Sequence, residues 1–194
     1  IAYVVGGCLL AWGFYHISAP RIQAQAIELH ARQRFDQVVQ QRLHFSFNTA
    51  FVDEVIEQYQ AAARLDPANA DVWIGLSAAQ CQLYFRDPMQ AEQIAAQASE
   101  SARRAIALSE GYGMAWAQLG VAQALGGDWS AAELALSKAV ALAPNNSNAH
   151  YYWAAYQSHF DDRRSAALAS VRRALEINPS NAAARRLQQK LSML

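Results

Sequence analysis

From position 49 onward, apolar residues recur at three- and four-residue spacing. They fall in blocks that each end at a cluster of helix breakers. Val52, Ile56, Tyr59, Ala62 and Ala63 form one stripe, which predicts a helix starting after a cap at Asn48 or Thr49 and running to about Leu65. The same rule predicts helices over about 70–84 and 88–109, over 113–126 and 129–142, and over 147–160 and 162–177. Arg86-Asp87-Pro88 reads as a stop, an N-cap and a first-turn proline. Gly126-Gly127-Asp128 reads as a tight turn with Asp128 as N-cap, and the adjacent carboxylates Asp161 and Asp162 read as caps of a helix start. A last helix over 181–192 has a narrow stripe of Ala184, Leu187 and Leu191 among polar residues. Upstream, Ile22, Ala26, Leu29, Phe35, Val38, Val39 and Leu43 mark an incomplete stripe along residues 21–46. No alternating run with a hairpin turn is present, so the pattern is all-α.

These blocks repeat. Trp116 to His150 is 34 residues and Pro144 to Pro179 is 35, while Trp73 to Trp116 is 43, so one unit carries about nine extra residues, assigned to a long second helix. The quoted positions are Trp73 with Leu76, Trp116 with Leu119 and Gly120, Ala132 and Ala139, and the closing Pro67, Pro144 and Pro179. On these residues the stretch from about 50 to 192 resembles the tetratricopeptide repeat family. His150 stands where that pattern has tryptophan, which assigns it to core packing, and Glu110 stands for one closing proline. The resemblance implies a solenoid of about three to four helical hairpins with 181–192 as a polar cap, since a terminal unit otherwise exposes its apolar face.

Residues 1–18 break the pattern. They contain no formally charged side chain and would span about 27 Å as a helix, enough to cross a hydrocarbon core. Trp12, Tyr15 and His16 gather near one end, where amphipathic rings favour an interface. The expectation is a single transmembrane helix over 1–18, a juxtamembrane helix or linker over 19–47, and a repeat domain over 48–194. The chain opens on isoleucine, from which further chain upstream is expected.

Composition adds little to the fold and something to partners. Formal charge is zero but unevenly spread: residues 53–133 hold eleven acids against four bases, and residues 163–194 hold seven bases against one acid. The basic end reads either as solvated helix faces or as a surface for anionic lipid or an acidic partner. The basic pairs lack interleaved aromatics, which argues against direct nucleic-acid contact. Arginine outnumbers lysine fourteen to two, a bias that points to a GC-rich bacterial genome.

No phosphate-cradling loop, nucleophile elbow or histidine–cysteine pair at metal-ligand spacing is found. The reading is therefore of a non-enzyme without cofactor or metal. In the tetratricopeptide family the first helix of each unit lines the concave side. The resemblance then implies a partner-binding groove of Ile74, Ala78, Cys81 and Gln82 from one unit, Ala117, Val121, Ala124 and Leu125 from the next, and Tyr151, Ala155, Ser158 and His159 from the last. Such a trough suits an apolar or amphipathic helix, from a partner or from residues 21–46 of this chain, or else it is filled by self-packing.

The string Gly127-Asp128-Trp129-Ser130-Ala131-Ala132-Glu133, with Ala139–Pro144 and Asn148–Trp153, is similar to the extracytoplasmic repeats of bacterial membrane-bound winged-helix regulators. Two functions follow as expectations. The first is a membrane-anchored accessory or assembly subunit of a bacterial inner-membrane complex, contacting neighbouring membrane helices, lipid and other proteins, with periplasmic repeats. The second is the sensor region of such a regulator.

Overall fold

The computed structural model describes residues 2–43 and 49–193. Every regular element among them is helical. The helices are α1 (Ala2–Leu43), α2 (Thr49–Leu65), α3 (Ala70–Gln82), α4 (Ala91–Leu108), α5 (Gly113–Leu125), α6 (Trp129–Leu142), α7 (Ser147–Gln157), α8 (Arg164–Ile177) and α9 (Ala182–Met193), with 3-10 turns at Leu83–Phe85, Pro88–Gln90 and Asp161–Arg163. Successive helices pair as hairpins, α1 with α2, α3 with α4, α5 with α6 and α7 with α8. The first helices of neighbouring units also touch, α3 with α5 and α5 with α7. This is a tetratricopeptide-type solenoid, closed at its carboxyl end by α9 packed on α8.

Small side chains make the hairpins possible. Among the described residues, twenty-one of the thirty-four buried apolar side chains are alanine, which lets helix axes approach closely and spreads the stabilisation over many small contacts. Gly120 shows the limit: a Cβ there would meet Leu136 Cγ at 2.5 Å and the Ala132 carbonyl at 3.1 Å. Ser77 solves the same crossing with a hydroxyl, which donates to the Ala98 carbonyl at 2.8 Å, and Ser147 does likewise to Ala174 at 2.8 Å. Each buried hydroxyl is thereby satisfied.

One tie recurs at the start of each unit. Trp73 Nε1 donates to the Pro67 carbonyl and Trp116 Nε1 to the Glu110 carbonyl, both at 2.8 Å. His150 Nε2 meets the Pro144 carbonyl at 2.9 Å. A carbonyl only accepts, so that ring nitrogen carries the proton. His150 thus reproduces the indole tie from a half-buried place, rather than filling the core as its substitution for tryptophan implied.

Several expected boundaries shift. The nine extra residues do not all lengthen a helix. Four extend α4 relative to α6, and five lie in the connector 83–90, which is eight residues against three in the next unit. Asp87 caps the turn at Pro88 by accepting from the Met89 amide at 3.1 Å, and Asp128 caps α6 by accepting from Ala131 at 3.0 Å. Asp161 and Asp162 instead lie inside a 3-10 turn whose N-cap, Phe160, makes no side-chain cap bond. Their charge near the start of α8 is favourable, but they do not cap it.

The larger correction concerns α1. Of the stripe expected along residues 21–46, Ile22, Ala26 and Leu29 are exposed, Ile22 at 63% and Leu29 at 56%, while Phe35 packs on the core and Val39 is half-buried. The face that packs on the α2 side carries buried Ala31, with Ile27 and Phe35 against the same core cluster, and Ala24 is buried too. Alanine at two contact positions and sparse large residues made the wrong face look greasier. Residues 19–43 are also not a separate juxtamembrane helix. They are the distal part of one helix that begins at Ala2 and runs through Pro20. Among the described residues no helix is long and apolar enough to cross a membrane. The side chains of the expected span, residues 1–18, lie outside the described residues, apart from Ser18.

Candidate interaction groove

The first helices present their inner faces to a chain of cavities. Position five of each helix follows directly after the tie residue and holds Ile74, Ala117 and Tyr151, of which Ile74 and Tyr151 line cavities. The structure gathers eight of the twelve expected groove residues around one cavity of about 200 Å³: Cys81, Gln82, Val121, Ala124, Leu125, Tyr151, Ala155 and His159. Ile74 and Ala78 line a neighbouring cavity. Ala117 is fully buried, and the Ser158 hydroxyl donates to the Ala155 carbonyl at 2.7 Å. Those two belong to the packing beneath the groove.

The cavity is more aromatic than the repeat register implied. Phe85 from the 3-10 turn after α3, and Tyr152 and Tyr156 from α7, complete its wall. Phe85 is 51% exposed, because the long connector carries it outward. Behind Tyr156 lies an aromatic stack. Trp153 stacks on Tyr156 at 5.5 Å, and Trp129 lies 5.1 Å from His159. The Tyr156 hydroxyl donates to Glu133 at 3.0 Å, and Arg163 pairs with the same carboxylate at 2.6 Å. Hydrogen bonding to Arg163 holds the Glu133 carboxyl below its ordinary range. This network props the wall from outside. Burial pushes the Cys81 thiol up to about 12, so it contributes to the groove as a small apolar surface and not as a nucleophile.

Two further cavities adjoin the first, and Tyr152 lines all three. One, of about 480 Å³, lies between α1 and the capping helix, with Asp36 and Phe35 on one side and Arg186 and Lys190 on the other. The other, of about 290 Å³, is bounded by α1, α3 and α5 and is lined by Glu28, Asp36 and Asp71. The inner surface is therefore apolar in the middle, acidic toward the amino-terminal units and basic toward α9. Among the described residues, none of the side chains around the 200 Å³ cavity comes from α1. Glu28, Arg32, Phe35, Asp36 and Val39 of α1 wall the two flanking cavities. A separate open groove of about 730 Å³ runs between α2 and α4 over Trp73 and Leu76.

The charged walls were not anticipated. Asp71 and Asn148 occupy position two of their helices, which the repeat register could have placed on the inner face. Glu28 and Asp36 were hidden by the misassigned face of α1.

No family model matches this chain, and no curated protein matches it. Solved structures do. A thermophilic tetratricopeptide repeat protein of Thermus thermophilus superposes with a TM-score of 0.72 at 21% identity, covering 98% of this chain and 96% of that one. MamA aligns with a TM-score of 0.51 at 19% identity over 79% of this chain and 81% of its own. A MamA fragment, from residue 41 to its end, from Desulfovibrio magneticus RS-1 gives 0.50 at 14% identity over 84% of each chain. At these identities the likeness carries the fold: this chain has the architecture of tetratricopeptide proteins. It does not extend to the finer resemblance to membrane-bound winged-helix regulators.

Proposed function

We propose that this chain is a non-enzymatic protein-interaction scaffold whose inner groove takes an apolar, helix-forming segment of a partner. The observation that carries this reading is the 200 Å³ apolar cavity assembled from three successive units and lined by Val121, Leu125 and Tyr151. A cavity of that size takes one or two large side chains, and the flanking cavities continue the surface in both directions. The charged ends would fix which way a bound segment lies. Changing Val121 or Leu125 to glutamate abolishes capture of the partner recovered by co-purification and mass spectrometry, with helical circular dichroism unchanged. Undiminished capture by a folded variant would refute the assignment of the groove.

The scaffold stands at a membrane in this reading. Residues 1–18 carry no formal charge, and α1 runs without a break from Ala2 into the wall of the first repeat. A bilayer-embedded start would then orient the whole solenoid through one helix. The role that fits is an accessory or assembly subunit of a bacterial inner-membrane complex, with the repeats on the periplasmic side and neighbouring membrane helices and lipid as further contacts. Retention in vesicles after an alkaline wash tests the anchor. Protease access to the repeats in intact spheroplasts tests the side.

A further inference from the structure

The lining of the central cavity is more particular than apolar capture requires. Four of its twelve described lining residues, Phe85, Tyr151, Tyr152 and Tyr156, carry a phenyl or phenol ring, where 10% of the whole chain is aromatic. None of the twelve is lysine, arginine, aspartate or glutamate. A charge taken out of water there would find no opposite charge, so the cavity selects an uncharged occupant. Volume narrows the choice. An apolar cavity of about 150 Å³ holds a benzene molecule. This one, of about 200 Å³, has room for a phenyl or an indole ring.

Three of the four rings are held by the fold itself. Tyr156 is buried and stacks on Trp153 with 6° between the planes, and its hydroxyl is committed to Glu133. The rings of Tyr151 and Tyr152 lie 5.2 Å apart at 51°, and the Tyr152 hydroxyl accepts from Gln118 at 3.4 Å. Fixed rings at such angles offer both edges and faces, and an aromatic guest gains from these beyond the area it buries. The fourth ring comes from outside the repeat. Phe85 belongs to the eight-residue connector, which the next unit lacks, and it is half-exposed. The connector is tied down on both sides of it. Leu83 packs on the core, the Asp87 amide donates to the Leu83 carbonyl at 3.0 Å, and Arg86 pairs with Asp53 of α2 at 2.6 Å. A phenylalanine fixed half in water stabilises the fold little. Covering it benefits a ligand that enters the cavity beside it.

We infer that the central cavity is a pocket for one aromatic side chain, phenylalanine or tryptophan, of the captured segment, with Phe85 as the specificity-determining ring that covers it. The inference rests on the scaffold reading for the source of that side chain. Its chemistry rests on the cavity.

Ligand-observed NMR titration of the full chain with the N-acetyl amides of phenylalanine, tryptophan and cyclohexylalanine tests it. The cyclohexyl probe is close to phenyl in size and more apolar, so a pocket that reads apolar area alone would favour it. The two aromatic probes are expected to bind saturably and the cyclohexyl probe about threefold to tenfold more weakly. Phe85→Leu keeps apolar bulk at a half-exposed position and is expected to weaken the aromatic probes by about threefold. Ala155→Phe fills the cavity with a ring of this chain and is expected to abolish binding of all three, with circular dichroism unchanged. Equal or tighter binding of the cyclohexyl probe, no saturable binding of the aromatic ones, or undiminished binding by folded Ala155→Phe overturns the inference. Partner capture by Leu125→Glu reports separately on the scaffold reading. Capture lost in that variant, with no aromatic preference among the probes, leaves the scaffold standing and removes the pocket. Aromatic preference with capture undiminished does the reverse.

Discussion

At the level of single residues, the tie at the head of each unit shows how unlike side chains serve one purpose. Trp73, Trp116 and His150 each reach back six residues to a carbonyl in the preceding loop. Cations on the following helices cover the indoles, Arg104 at 4.8 Å from the centre of Trp73 and Lys138 at 3.8 Å from that of Trp116. His150→Ala is therefore expected to cost about 1 kcal/mol in urea unfolding, for one hydrogen bond. His150→Trp, which restores the donor, should cost nothing or stabilise. Glu28 makes the opposite case. Burial, and then the charge of Asp71, hold its carboxyl above its ordinary range in the fold. A raised folded value means that the native state binds this proton more tightly than the unfolded chain does. The destabilisation from its charge is thus fully present above the raised value and absent below the ordinary one. Glu28→Gln should raise the midpoint of thermal unfolding at neutral pH, and the gain should vanish as the pH falls below the ordinary carboxylate range.

Elements follow from which face is buried, and α1 is where that choice is most open to test. Ile27, Ala31 and Phe35 pack with the α2 core residues, while Ile22 and Leu29 are exposed. Ala31→Glu puts a charge into the tightest part of that contact and is expected to cost about 3 kcal/mol or more in chemical denaturation. Leu29→Gln should stay within about 0.5 kcal/mol of the parent. A reversed ranking would restore the face drawn from the sequence. That face was misjudged for a physical reason. Alanine contributes little to an apolar tally but is what a close helix crossing selects, so hydrophobicity summed along a helix points to the wrong side where crossings are tight. The helices α5, α6 and α8 were easier, because Asp128, the glycine pair before it and Pro179 fix their ends through local backbone chemistry.

For the whole molecule, stability is a sum over neighbours. The last unit rests on α9, through Ala184 and Leu187 against Ala154, Val171 and Ala174, and through Arg164, whose guanidinium donates to the Leu191 carbonyl at 2.6 and 3.1 Å. Ending the chain after Ser180 removes that cover. Hydrogen exchange should then quicken in α7 and α8 while α3 and α4 keep most of their protection, as a one-dimensional stack requires. Uniform loss of protection would mean that the units fold as one block. The groove belongs to this scale too. Its apolar centre was legible, since eight of twelve named residues share one cavity and a constant repeat register carries inward positions from unit to unit. The acidic cavity was not, because Glu28, Tyr59, Asp71 and Tyr112 come from three hairpins and no spacing along the chain relates them.

The amino-acid order by itself determined the repeat, the helical class, most of the helix ends and the apolar stripe inside the groove. These rest on interactions within a hairpin or between adjacent hairpins, and such interactions leave a period in the chain. Only the tertiary structure decided which face of α1 is buried, that α1 walls part of the inner surface, and that carboxylates from α1 and α3 meet beside the groove. Those outcomes depend on the spacing and rotation of whole helices, set by the sum of many small alanine contacts that no local pattern records.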